Sequence, residues 1–158
     1  MIKEQLYNKL SQIIPDMENR LAKGTEYGKS KIDGYMDLNF DYLGKDKSGR
    51  HMIALSHYYE LNGDMVPDPD MHVRIDTKAK TAEAMTFQNL YIFQRVYDEG
   101  NEPTAANEKR KKELNLFLSQ WLSNSIEYGY RIDFSKADRA LDNLRRRDGK
   151  NPEQGIER

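Results

Sequence analysis

Ser56-His57-Tyr58-Tyr59-Glu60-Leu61-Asn62-Gly63-Asp64-Met65-Val66-Pro67-Asp68-Pro69-Asp70-Met71-His72-Val73-Arg74-Ile75-Asp76 is the stretch on which the fold turns. Its opening residues close an apolar, aromatic run suited to a strand. Asn62-Gly63-Asp64 is a strong turn signal, because Asn and Gly both tolerate positive φ. Pro67 and Pro69 fix two φ angles and bias Val66 and Asp68 towards extended backbone. The expectation is a stiff loop between two strands. It carries Glu60, Asp64, Asp68 and Asp70, with no Lys or Arg between His51 and Val73. In a chain that is 32% charged, that makes a local acidic field, suited to a cation or a basic partner.

Working outward, Met36, Leu38, Phe40 and Tyr42 alternate with Tyr35, Asp37, Asn39 and Asp41, the pattern of a half-buried strand over 35–43. The polar run Gly44 to Gly49 predicts a hairpin into a second strand over 51–60. Beyond the loop, Met71, Val73 and Ile75 alternate with His72, Arg74 and Asp76 in a third. Two more are expected over 80–87 and 90–97, with Gln88-Asn89 as the turn. The segment 24–34, polar and with three glycines, reads as a connection. On the N-terminal side, Ile2, Leu6, Leu10, Ile13, Met17 and Leu21 recur at helical spacing. Pro15 either kinks that helix or opens a second short one.

After a turn at Asp98 to Asn101, Pro103 and Thr104 signal a helix start. Leu114, Phe117, Leu118, Trp121 and Leu122 then form an apolar stripe, with Trp121 expected between helix and sheet and Gly129 closing the helix. Ser135 to Arg147 predicts a final helix, and the polar end from Asp148 should fray. The fold class is therefore α+β: an N-terminal helix, an antiparallel sheet of about five strands, and a long C-terminal helix packed on the sheet. Residues 1–134 are expected to form one domain, and 135–158 a helical or disordered extension.

Composition narrows the classes of function. A chain of 158 residues can bury one core without staples. Without cysteine there are no disulfides and no Cys-ligated zinc. Lys plus Arg is 25 and Asp plus Glu is 26, a net charge of −1. That balance gives no global pull on nucleic acid or membrane. The N-terminus carries no signal-peptide core, and no apolar run approaches a membrane span. The expected address is cytoplasmic.

With these elements placed, the second half resembles the YqiB-like family of uncharacterised bacterial proteins. The residues that carry the likeness are Pro69, Met71, Val73 and Arg74, then Ala82-Glu83, Tyr97-Asp98, and Lys112, Leu114, Asn115, Phe117, Leu118, Trp121 and Leu122, followed by Gly129. His57-Tyr58-Tyr59-Glu60, Asn62-Gly63-Asp64 and Asp68-Pro69-Asp70-Met71 are similar to the branch found on plasmids, conjugative elements and phages. The resemblance implies an accessory protein of a mobile element or phage and brings no activity with it.

The candidate binding residues are His57, Tyr59, Glu60, Asn62, Asp64, Asp68, Asp70, His72 and Arg74. Asp64, Asp68 and Asp70, with Glu60 and the flanking His57 and His72, are of the type that holds Mg²⁺, Mn²⁺ or Ca²⁺. Their spacing is not that of an EF-hand, and the prolines turn the side chains apart, so turn-capping carboxylates are the preferred account and no metal or cofactor is expected. His57 and His72 are placed facing each other across the loop, where such a pair could do acid–base work. The plainer account is two ordinary strand histidines. A nuclease core of the restriction type would need a lysine two residues after Glu83, where Met85 stands. No constellation commits the chain to catalysis and no catalytic residue is named.

The leading expectation is a non-enzymatic interaction module that binds a protein partner, one of basic character, through residues 60–70. The alternative is a metal-dependent enzyme acting on nucleic acid, centred on the same loop. The basic clusters Lys109 to Lys112 and Arg145 to Arg147 make nucleic acid a lesser candidate partner, and no membrane partner or oligomeric state is specified.

Overall fold

A computed structural model describes residues 1–97 and 105–150. The expected turn at Asp98 to Asn101, the helix start at Pro103-Thr104 and the end of the chain from 151 lie outside the described residues. Within them, four helices and seven strands form one α+β architecture.

Helix α1 (Ile2–Ile13) buries Leu6, Tyr7, Leu10 and Ile13. Ile14 is extended and Asp16 takes a left-handed φ of 55°, so the chain turns at Pro15 and restarts as α2 (Met17–Lys23). Of the two outcomes open at Pro15, the second short helix forms. The missing N–H of a proline and its steric demand on the preceding turn explain why α1 does not continue.

The sheet is antiparallel throughout, in the order β1-β2-β3-β4-β6-β7, with β5 pairing β4 beside β6. Strand β1 (Tyr27–Ser30) falls in the segment expected to be a connection. Tyr-Gly-Lys-Ser has no apolar alternation to announce a strand. It is held instead by a close approach: a Cβ on Gly28 would stand 2.5 Å from Ile132 and 2.7 Å from Phe134, so only glycine fits. Residues 131–133 run alongside, with Lys29 and Asp133 exchanging backbone hydrogen bonds of 3.1 and 2.9 Å.

Strands β2 (Leu38–Lys45) and β3 (His51–Leu61) form the expected hairpin. Its turn is held by Asp46, whose Oδ1 accepts from the backbone N–H groups of Ser48 and Arg50 at 2.9 and 3.0 Å. Strand β4 (Asp64–Asp76) corrects the sequence reading most sharply. The expected stiff loop is strand: Leu61 pairs with Asp64, Glu60 with Met65, Tyr59 with Val66 and Tyr58 with Pro67. Only Asn62 and Gly63, with φ of 53° and 85°, form the turn. Positive φ at both central residues is the two-residue hairpin turn whose twist matches the strands it joins. The prolines are accommodated at a bulge between the Ser56–Asp70 and Tyr58–Pro67 pairs, where the Asp68–Pro69 peptide is cis.

The strand expected over 80–87 breaks at Met85 into β5 (Thr81–Ala84) and β6 (Thr86–Gln88), and the next shortens to β7 (Phe93–Arg95). Seven strands therefore stand where about five are expected. Leu6, Leu10, Phe40, Ile53, Leu55, Met71, Ile75 and Leu118 anchor the core. Helix α3 (Ala105–Tyr128) buries Leu114, Leu118 and Leu122 in it, and its Asn115 Oδ1 accepts the Ala84 N–H at 2.8 Å, satisfying a donor at the end of β5. Trp121 packs on the core but is only half-buried, because part of its ring meets His57 and Phe117 near the surface. Helix α4 (Ser135–Lys150) follows and is tied back by Arg20, which donates to both Asp138 oxygens at 2.6 and 2.9 Å. Among the described residues no helix is long and apolar enough to cross a membrane.

Candidate functional site

The sheet has two unlike faces because strand side chains alternate. Phe40, Ile53, Leu55, Met71, Val73 and Ile75 point to the helices and are almost fully buried. Their neighbours make a polar face. On it, register aligns Lys29, Asn39, Ser56, Asp70 and Gln88 in one row across five strands, and Tyr27, Asp41, Ala54 and His72 in the next.

The sequence-derived candidates separate into three environments rather than one site. Glu60, Asn62, Asp64 and Asp68 are exposed, and Tyr59 is half-buried opposite Val66. All but Asp68, which lies just beyond it, belong to an arm, residues 58–67, in which β3 and β4 run on with no other strand beside them among the described residues. β2 pairs with β3 no farther than Ser56, and β6 meets β4 only at Asp70. His57 lies on the helix side, 7% exposed, donating from Nδ1 to the Asp37 carbonyl at 2.9 Å, with its ring 5.4 Å from Trp121 and 5.5 Å from Tyr130. His72 pairs with Ala54 on the other side, its backbone engaged with Thr86 and Met85. The facing of His57 and His72, the less favoured of the two accounts, therefore does not occur. A register that sends them to opposite faces keeps the two rings apart. Among the described residues no three His, Asp or Glu side chains are grouped to hold a metal ion.

Arg74 stands in a buried ionic cluster. Its guanidinium meets Asp46 and Glu83 at 3.2 Å each, and stacks 5.2 Å from the Tyr97 ring. Glu83 also accepts from the Tyr97 hydroxyl at 2.8 Å and faces Lys3 at 3.5 Å. Burial by itself would raise the Glu83 pKa; the Tyr97 hydrogen bond and the Arg74 and Lys3 charges outweigh it and hold the carboxyl below its usual range. Although Arg74 Nε has no hydrogen-bond partner among the described residues, both charges are matched, and this is the arrangement of a structural clamp joining β4, β5 and the β2–β3 turn.

None of the candidates lines the cleft between the sheet and α4; Asp70 comes nearest, through its hydrogen bond with Tyr58, which does line it. The Asp70 Oδ2 accepts from the Tyr58 hydroxyl at 2.5 Å, while its Oδ1 is buried without a hydrogen-bond partner among the described residues. Burial, together with the Asp70 hydrogen bond and charge, pushes the Tyr58 pKa up to about 12. Asp41 is raised as well, by withdrawal from solvent first and then by Asp70. Tyr58 and Asp41 border this cleft of about 760 Å³, between the polar face of β1–β3 and the start of α4. Tyr27, Asn39, Asp41, Ser56 and Tyr58 line its sheet side; Lys29, Lys31, Arg131, Lys136 and Arg139 stand along its walls.

None of the wall residues was a sequence candidate, and neither Asp41 nor Tyr58 was assigned a role. The outward alternation of Asn39 and Asp41 was the one signal present. Bringing residues 27–58 against 131–139 takes the register of β1 and the backbone pairing of Lys29 with Asp133, and neither is written in local pattern.

Residues 8–131 match the model of an uncharacterised family, Domain of unknown function (DUF6908). No curated protein and no solved structure matches the chain.

Proposed function

The chain belongs to the Domain of unknown function (DUF6908) family, and from its geometry we propose a non-enzymatic interaction module that presents the arm 58–67 to a basic protein partner in the cytoplasm. The observation that carries the reading is the state of the arm's charges. Glu60, Asp64 and nearby Asp68 are exposed, form no ion pair among the described residues, and stand together in a stretch, 51–73, that holds no Lys or Arg to neutralise them. Leu61 and Met65, 41% and 64% exposed, add apolar contact area between the carboxylates. The two strands leave the sheet with outer edges unpaired, which suits a partner that adds a strand or grips the arm. The short turn fixes the arm's shape, so little ordering entropy is lost on binding. The role of accessory protein of a mobile element or phage is the part of this reading that rests on the motif likeness alone.

The test is the triple variant Glu60→Gln, Asp64→Asn, Asp68→Asn, used as bait beside the wild type in crosslinked pull-downs over a salt series. The wild type should capture a basic protein at low salt and lose it as the Debye length shrinks from ~10 Å at 0.1 M to ~3 Å at 1 M. A folded triple variant that recovers the same protein at the same salt overturns the proposal.

A further inference from the structure

The arm leaves the cleft unexplained. Five cationic side chains line it against two carboxylates, Asp41 and Asp133, an excess of three positive charges in a chain whose net charge is −1. The rest of the molecule is therefore acidic, and the positive field is gathered in a concavity, where it acts most strongly on an approaching anion. Little of it is neutralised: Arg131, Lys136 and Arg139 form no ion pair among the described residues, and Lys29 and Lys31 share the single Asp37 at 3.7 and 4.0 Å. All five are exposed.

The charge does not stop at the cavity. At 3.6 residues per turn, Lys136, Arg139, Asn143, Arg146 and Arg147 lie within about 100° of one another on α4. Lys136 and Arg139 open onto the cleft, and Asn143, Arg146 and Arg147, all exposed, continue the same face for about 17 Å from end to end. A track that outruns its cavity suits a polymer of phosphates better than a single phosphorylated molecule. The sheet side of the cleft is different in kind. Asn39, Tyr58 and Asp41 offer amide, hydroxyl and carboxylate groups, Tyr27 and Tyr58 supply aromatic rings, and Ser56 is buried beneath them. The Asp41 carboxylate repels phosphate and accepts from amino groups, as acidic side chains do with base edges.

We propose that this cleft and the basic face of α4 bind single-stranded nucleic acid, with phosphates along Lys29, Lys31, Arg131, Lys136 and Arg139 and unpaired bases directed to the Asn39–Tyr58 side. A positive groove with aromatic side chains is the arrangement by which single strands are held without strict sequence preference. A duplex has its bases turned inward and leaves the sheet side of the cleft unused.

The test is fluorescence anisotropy of the full chain with labelled ~12-mers of single-stranded DNA and single-stranded RNA, and a duplex of the same sequence. The two single-stranded arms identify which nucleic acid is taken. At least one should bind well ahead of the duplex, with log K falling against log[salt] at a slope of about −3, the value for about four phosphate contacts on a single strand. Lys136→Glu with Arg139→Glu, on exposed side chains that make no ion pair, should weaken binding at least about tenfold and flatten the slope by about one or more. Lys109→Glu with Lys112→Glu, on α3 away from the cleft, should leave both unchanged. Absence of salt-dependent binding, an undiminished Lys136/Arg139 variant, equal binding of the duplex, or displacement of the strand by an equimolar nucleoside monophosphate would each overturn the proposal.

Discussion

The β3–β4 hairpin is two structures on one pair of strands. In its inner half, residues 51–56 against 70–75, both strands have neighbours and the helices cover one face. Ile53, Leu55, Met71, Val73 and Ile75 are all 0% exposed there. In its outer half, residues 58–67, the same strands run on with no neighbouring strand among the described residues, and Val66, 7% exposed, is the only buried side chain. Backbone pairing is the same in both; what differs is what lies alongside. Stability belongs to the inner half, where apolar area leaves water, and the outer half is left to present charge. The bulge at Asp68–Pro69 marks the boundary, and beside it Tyr58 and Asp70 join the arm to the cleft.

The largest difference between the halves should appear at Arg74. Arg74→Ala strands Glu83 and Asp46 in a buried place and should cost about 3–5 kcal/mol by chemical denaturation. Glu60→Ala, the removal of a charge in the outer half, should stay within about 0.5 kcal/mol. The acid limb gives a second reading of the same cluster. Glu83 is held below its unfolded pKa, so its contribution is present above about pH 4.3 and is lost as pH falls through the lower folded value. Glu83→Gln should flatten that part of the stability curve. Equal costs at Arg74 and Glu60 would erase the distinction between the halves.

Packing gives the next effect. Leu55→Ala removes a fully buried side chain and should cost about 2–5 kcal/mol, whereas Leu61→Ala, 41% exposed, should cost under about 1 kcal/mol. Melting curves of the two variants decide it. A Leu61 cost near that of Leu55 would mean that the arm is covered by a part of the chain outside the described residues.

The two halves also differ in how far they could be read from sequence. Period-two alternation revealed β2, β3 as far as Glu60 and the end of β4, because a face packed on helices must be apolar at every second residue. Leu6, Leu10, Leu114, Leu118 and Leu122 revealed α1 and α3 by the same logic at helical period. The start of β4 hid because Pro67, Asp68 and Pro69 are poor strand residues, and their place in a strand depends on an edge with no neighbouring strand among the described residues and on a bulge that absorbs them. Asn62-Gly63 did announce the turn, but not that the flanking residues pair. Strand β1 hid because a glycine pressed on Ile132 and Phe134 carries no hydrophobic signal. The acidic arm was legible as charge, while the cleft was not, since its walls come from residues a hundred positions apart in sequence.

A smaller effect tests the turn itself. Gly63→Ala places a Cβ at a φ of 85°, with open space around it, so its cost is backbone strain alone, about 1–2 kcal/mol. The loss should fall on the arm, seen as faster amide exchange over 58–67 with exchange over 51–56 unchanged. Uniform acceleration through both halves would show that the hairpin opens as one unit and that the boundary at the bulge has no energetic meaning.

The finest test sits on that boundary. Tyr58→Phe deletes one hydroxyl, leaves the ring, and withdraws the hydrogen bond to Asp70. A bond to a charged acceptor contributes about 1.5–3 kcal/mol when well shielded, and Tyr58 is only half-buried, so about 1 kcal/mol is expected. The alkaline limb carries the signature. An unfolded tyrosine titrates near pH 10, and Tyr58 is held up to about 12 by burial and by Asp70. A raised pKa means that the folded chain keeps the proton longer. The stabilisation is therefore full below about pH 10 and drains away as pH rises towards 12. Subtracting the Tyr58→Phe curve from the wild-type curve removes Tyr7, Tyr42, Tyr97 and Tyr130, which are raised as well, and should leave a difference that shrinks across that window. A difference that stays constant from pH 9 to 12 would mean that the hydroxyl does not face a carboxylate in solution, and the junction between arm and cleft would lose its link.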